Sequence, residues 1–346
     1  MSSYPTLLIV IVILALIFDY INGFHDSANS IATIVSTKVL TPFQAVLWAA
    51  LWNFVAFFVF KEHKVANTVA NIIYPEFIDL YVILAGIIAA ISWNLFTWWF
   101  GIPSSSTHTL IGGFIGAALA KVGSFNVIVL KKLSITVSFI FLSPLIGMML
   151  AFIITLIIVW VSRKANPYKA DKWFKRLQLC SSAAFSLGHG GNDAQKVMGL
   201  IAVAFILSGN NNVIPENIDV SHYMNQHTWI PLVCYTAIAL GTMSGGWKIV
   251  KTMGSRITKV TPLEGVSAET AAASTLILTE ALGIPVSTTH TVAGAIMGVG
   301  ATKRFSAVRW GVTLNLVWAW ILTIPISALF AAFIYWIIKI VLRLSA

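Results

Sequence analysis

Charge is scarce in this chain. Asp, Glu, Lys and Arg make up 10% of its 346 residues, where a soluble domain carries about 25%. So little charge cannot cover a surface that faces water. Acid is scarcer still, with 12 Asp and Glu against 22 Lys and Arg. Cysteine is nearly missing. Cys180 and Cys234 stand apart, in or near apolar sequence, which suggests neither a disulfide framework nor a zinc site. No low-complexity tract, soluble enzyme domain or nucleic-acid module is recognisable.

Apolar sequence takes their place. It makes up 58% of the chain, and the mean hydropathy is +0.86. Clear runs lie at Thr6–Phe18, Ala45–Phe60, Leu80–Phe100, Thr136–Val161, Ile230–Gly246 and Val317–Leu342. Several approach the ~20 residues that cross a bilayer as a helix. Backbone in lipid satisfies itself only as helices or closed barrels, and barrel strands would be short and alternating. The fold class is therefore all-α and polytopic, with about ten to twelve whole or partial helices expected. The first run has no basic residue before it and no small-residue cleavage site after it. It reads as a retained helix rather than a leader.

The formal charge of +10 does not point to nucleic acid. Basic residues fall in loops and at helix ends, where they set topology and meet anionic membrane lipids. The densest stretch, Arg163 to Arg176, reads as a cytoplasmic loop. Ser208–Gln226 carries Glu216 and Asp219 but no Lys or Arg, and reads as external. The basic stretch divides the chain into residues 1–162, a loop at 163–176 and residues 177–346.

One phrase occurs on both sides of that division. Gly101-Ile-Pro-Ser-Ser105-Ser106-Thr107-His108-Thr returns as Gly283-Ile-Pro-Val-Ser287-Thr288-Thr289-His290-Thr. Proline before hydroxyl residues suits a helix N-terminus, whose free N–H groups and positive dipole end bind oxyanions. Ser105, Ser106, Thr107, Ser287, Thr288 and Thr289 would add donors. Gly112 and Gly116 recur in step as Gly294 and Gly298, small residues that let helices approach closely. His108 and His290 could ligate metal or relay protons, but a hydrogen bond to a nearby carbonyl is the expectation. His222 and His227 are expected to do nothing specific. A serine hydrolase lacks an oriented acid partner for either phrase.

A second pair of polar segments precedes these. Asn22-Gly-Phe-His25-Asp26-Ser-Ala-Asn29 corresponds to His189-Gly-Gly-Asn192-Asp193-Ala-Gln195-Lys196. In each, glycine is expected to break the helix and the Asp to cap the one that follows. Buried acids in a membrane usually serve an ion or substrate path, and these two occupy matching places. Asp19 also lies beside apolar sequence. Glu269 and Glu280, three turns apart on one helix face, suit either a buried proton path or a water-facing helix end. Duplicated polar segments of this kind point to a transporter site, and inverted halves are expected because two breaks then face each other across the midplane.

At these residues the chain resembles the inorganic phosphate transporter (PiT) family. That family repeats an Asn-Asp-x-Ala-Asn phrase early in each half and a Pro-x-Ser-x-x-His phrase later. The resemblance covers essentially the whole length and is nearest to the bacterial low-affinity, proton-coupled type. It implies a multi-pass inner-membrane symporter, a homodimer, importing inorganic phosphate as the ion or as a neutral complex with a divalent metal. It assigns no resident metal or cofactor. The residues that carry over to phosphate are Ser105, Ser106, Thr107, Ser287, Thr288, Thr289, Asn29 and Asn192. Asp26, Asp193, His25, Gln195 and Lys196 carry over to the coupling ion. His25 stands where the sodium-coupled pattern has Asn, and Gln195-Lys196 replace Ala-Asn. Lys196 is thus expected to substitute for a sodium ion, and His25 or an Asp to carry the proton. Sulfate transport and sodium-coupled phosphate transport are the alternatives from the same family. A channel or a membrane enzyme would be a different class.

Overall fold

The computed structural model describes residues 4–209 and 219–342, without the side chains of Tyr4, Lys251, Ser255 and Arg256. Glu216 lies outside the described residues. The first half contains α1 (Tyr4–Ser36), α2 (Pro42–Val59), α3 (Lys64–Ala70), α4 (Leu80–Trp99), α5 (Ser106–Val122) and α6 (Leu130–Ser162). The second contains α7 (Pro167–Gly209), α8 (Val220–Gln226), α9 (Trp229–Ser244), α10 (Trp247–Lys251), α11 (Pro262–Ala281), α12 (Thr288–Lys303) and α13 (Trp310–Val341). No strand occurs among the described residues. The chain is all-α, as its composition requires. The short α3, α8 and α10 account for the excess over the expected count.

Five helices, α1, α2, α4, α6 and α13, are long and apolar enough to cross a membrane. Leu145, Phe152, Trp160, Leu329 and Trp336 on α6 and α13 are exposed, as lipid-facing side chains would be. The protein is a multi-pass membrane protein.

Two expectations need correction. Neither Asn22–Asn29 nor Gly188–Lys196 is a break, because α1 and α7 run through them. The glycines serve close approach instead. A Cβ on Gly23 would lie 2.2 Å from the Ile238 carbonyl oxygen of α9, and one on Gly190 2.7 Å from the Asn53 carbonyl oxygen of α2. Asp26 and Asp193 are consequently mid-helix residues and cap nothing. Nor is 163–176 a loop throughout. The Asn166 side chain accepts from the Tyr168 and Lys169 amides at 3.0 and 3.3 Å, α7 starts at Pro167, and the later basic residues ride on its first turns.

The real interruptions precede α5 and α12. Gly101 and Gly283 take left-handed φ values of 65° and 68°, which a glycine adopts without strain. Each ends a helix the same way. The Ile102 amide donates to the Thr97 carbonyl at 2.9 Å, and the Ile284 amide to the Thr279 carbonyl at 2.8 Å. This is the C-terminal capping expected where glycine follows a helix. Extended backbone at Ser105 and Ser287 then starts the next helix.

The halves exchange these next helices. α5 packs on α13, and α12 packs on α6. A Cβ on Gly116 would lie 2.0 Å from the Ala328 carbonyl oxygen, and one on Gly294 2.0 Å from the Pro144 carbonyl oxygen. The glycine repeat thus lets each hydroxyl-rich phrase seat against the opposite half.

Candidate functional site

A shift of 167 positions carries Asp26 onto Asp193. Both are buried, on α1 and α7 respectively. Their carboxylates are met by the starts of α5 and α12. Ser106 Oγ donates to Asp26 Oδ2 at 3.2 Å. Thr288 Oγ1 lies 3.3 Å from Asp26 Oδ2 and 3.3 Å from Asp193 Oδ2. It has one proton, so it serves one carboxylate at a time.

The two helix starts also hold each other. Thr107 Oγ1 donates to the Val286 carbonyl at 3.0 Å, and Thr289 Oγ1 to the Ser104 carbonyl at 3.2 Å. These contacts are equivalents across the duplicated phrase. Ser105 and Ser287 play a different part from their neighbours. Their hydroxyls accept from the His108 and His290 amides, each at 3.2 Å, as N-caps do. The first amides of each helix stay available to an anion.

Lys196 completes the arrangement. Its ammonium donates to Asp193 Oδ1, to Thr107 Oγ1 at 2.5 Å and to the Val286 carbonyl at 3.0 Å. Three acceptors match its three protons. The 167-residue shift maps Asn29 onto Lys196, and Asn29 Nδ2 donates to Thr289 Oγ1 at 2.8 Å. A neutral donor in one half and a cation in the other therefore hold matching threonines.

His25 Nδ1 lies 2.8 Å from Asp26 Oδ1, and its Nε2 lies 3.2 Å from Thr97 Oγ1. The sequence reading missed its partner, His189. That ring puts Nε2 3.2 Å from Asp193 Oδ2 and Nδ1 3.1 Å from Asn53 Oδ1. The signal was present: the same shift maps Asn22 onto His189 and His25 onto Asn192, so Asn and His trade places between halves. Asp26, His189 and Asp193 bring ligand-type atoms within 4.8 Å of one another, a spacing that could hold a cation. Thr97, Ser104 and Asn53 were also missed, since nothing local marks them.

Other expected residues sit apart. Gln195 accepts from the Val65 amide at 3.0 Å and donates to Glu280 Oε1 at 3.0 Å, which ties it to α3 and α11. Asn192 is buried, and its side-chain atoms find no partner among the described residues. Neither Glu faces water. Glu269 accepts from Thr33 at 2.5 Å, Gln178 at 2.9 Å and Ser181 at 2.5 Å. The rings of His108 and His290 meet at 4.8 Å, and His290 stacks on Trp320 at 4.1 Å. Among the described residues no hydrogen-bond partner is present for His108 Nδ1, and the Ile140 backbone is the carbonyl neighbour of the His290 ring. In α8 and its cap, His222 pairs with Gln226 at 3.1 Å and His227 stacks on Tyr223.

Chemically, the arrangement suits an oxyanion rather than a reaction. It presents amides, hydroxyls, a fixed ammonium and two carboxylates that can accept protons from a ligand.

Known proteins resemble this chain over nearly its whole length. The profile of the phosphate transporter family matches residues 22–331. A "probable low-affinity inorganic phosphate transporter" of Rhizobium meliloti is 50% identical over 96% of this chain and 96% of its own length. One of the same description from Bacillus subtilis is 42% identical over 97% of this chain and 98% of its own. A solved structure titled "The sodium-dependent phosphate transporter" superposes with a TM-score of 0.85 at 28% identity, covering 97% of this chain and 99% of that one. Helical architecture, paired helix starts and sequence kinship over nearly the whole length lead to one conclusion: this chain belongs to the phosphate transporter family.

Proposed function

We propose that this protein is a secondary symporter that imports inorganic phosphate together with protons across the inner membrane. The observation that carries the reading is the meeting of two helix starts at Asp26 and Asp193, with Thr288 Oγ1 3.3 Å from each carboxylate. A tetrahedral anion entering there replaces the Ser106 and Thr288 contacts. It takes backbone amides and hydroxyls from both sides. A protonated phosphate oxygen donates to a carboxylate, whereas sulfate has no proton to give. This favours phosphate over sulfate.

Proton rather than sodium coupling is supported by Lys196. Its ammonium already fills the place beside Asp193 that a cation would take. Sodium coupling is the second reading, favoured by the likeness to the sodium-dependent transporter. If phosphate travels as a neutral complex with a divalent metal, that metal is cargo and faces the same carboxylates. The reading also includes halves inverted in the membrane and a homodimeric assembly.

The test is labelled phosphate uptake by purified protein in liposomes. Uptake should follow an imposed pH gradient without sodium and should resist competition by sulfate. Uptake driven by sodium and indifferent to pH would overturn the coupling assignment.

A further inference from the structure

Asp19 has no part in the site just described. It is fully buried on α1, and among the described residues neither carboxylate oxygen has a hydrogen-bond partner stronger than the Cys234 thiol. It is not remote, however. Asp19, Asn22, Asp26 and Asn29 fall at spacings of three and four, which sets them on one face of the helix. Asp19 therefore heads a buried polar stripe that leads through Asn22 to the phosphate site. The Asn22 side-chain oxygen, one turn along, is without a partner among the described residues.

The packing leaves no surface of Asp19 exposed. α9 presses on α1 at this level. A Cβ on Gly241 would lie 2.0 Å from the Tyr20 carbonyl oxygen, and one on Gly23 2.2 Å from that of Ile238. The titratable and charged groups that face Asp19 are Cys234 and Tyr235 on α9 and Asp193 and Lys196 on α7. Lys196 is already committed to Asp193. The Cys234 thiol is only a weak donor. A lasting negative charge without a close cation is costly in such a place, which suits a carboxyl that takes up and gives back a proton.

The duplication sharpens this. The shift that carries Asp26 onto Asp193 carries Asp19 onto Ser186. The anion-facing acids are present twice, but this acid is present once. A single extra acid beside a two-sided anion clamp suits one coupling proton better than a second share in the clamp.

We infer that the Asp19 carboxyl is the binding site of the symported proton, loaded with phosphate and emptied with it. This rests on the proposed proton symport and names the residue that performs it. The physical link is electrostatic. An anion between α5 and α12 adds negative charge near the stripe and strengthens proton binding at Asp19. By reciprocity the proton strengthens anion binding to the same degree. The proton stays on the carboxyl while the site is closed and leaves to water once the path past Asn22 opens.

The experiment uses full-length protein in liposomes, with Asp19→Asn, Asp19→Glu and wild type. Two quantities are read: exchange of labelled phosphate at equal concentrations on both sides, and proton influx accompanying phosphate entry. Asp19→Asn should keep exchange but lose phosphate-linked proton influx and accumulation driven by a pH gradient. Asp19→Glu should restore both. Proton influx kept in Asp19→Asn overturns the assignment. So does loss of exchange together with influx, because Asp19 would then hold the structure or the anion. Wild type driven by sodium and blind to pH would instead overturn proton symport itself.

Discussion

Lys196 of the second half donates to Thr107 of the first at 2.5 Å, across 89 positions of sequence. A fixed charge on one long helix thereby holds α5 of the opposite half by a hydroxyl at its first turn. The contact joins the two halves at the point where substrate is expected, so its loss should be felt in both stability and coupling.

Lys196→Ala leaves Asp193 buried without its cation. Breaking a buried pair from one side costs about 3–5 kcal/mol. Lower thermal stability in detergent and loss of uptake are expected. Lys196→Asn restores the residue type at the matching place in the first half and should gain sodium dependence, read as uptake in sodium against choline.

Asp26→Asn and Asp193→Asn should each abolish coupled uptake while leaving the protein in the membrane fraction. The amides keep the shape but lose the negative charge, which at Asp193 balances Lys196. Uptake assays beside immunodetection of membranes check this. Full uptake in either variant would contradict the site.

The hydroxyls should separate by role. Thr288→Val removes the group shared by both carboxylates and should raise the KM for phosphate about tenfold, equivalent to about 1.4 kcal/mol. Ser105→Ala and Ser287→Ala each remove an N-cap and should cost about 1 kcal/mol of stability. Uptake kinetics and melting curves for the three variants would show whether affinity and stability divide in this way.

Gly116→Ala and Gly294→Ala should destabilise by about 1–3 kcal/mol each, the usual cost of overpacking. Their added carbons would lie 2.0 Å from carbonyl oxygens on α13 and α6. Melting in detergent measures it. A substitution at Gly123, where nothing lies within 4 Å but φ is 74°, tests backbone strain instead of contact.

Much of the site was legible because it is local and repeated. Proline, hydroxyl and glycine signals at 101–109 and 283–291 describe a helix end, a turn and a helix start. Each depends on residues a few positions apart. The structure places those elements as the spacing suggests. The glycines at 23 and 190 misled for the opposite reason. Glycine serves a chain break and a close helix approach equally well, and only the presence of α9 and α2 decides between them. His189 escaped notice because its use depends on Asn53 and Asp193 meeting its two nitrogens.

The sequence by itself determined the class, an all-helical membrane chain built on a duplicated plan. It did so because hydropathy and helix capping act over short distances. It also determined which acids and hydroxyls stand where charge is otherwise avoided. Tertiary structure alone decided that α1 and α7 run unbroken, that α5 and α12 cross to the opposite half, and that Thr288 stands between Asp26 and Asp193. Those facts depend on pairing surfaces far apart in the chain, where the close fit of one backbone against another selects the arrangement.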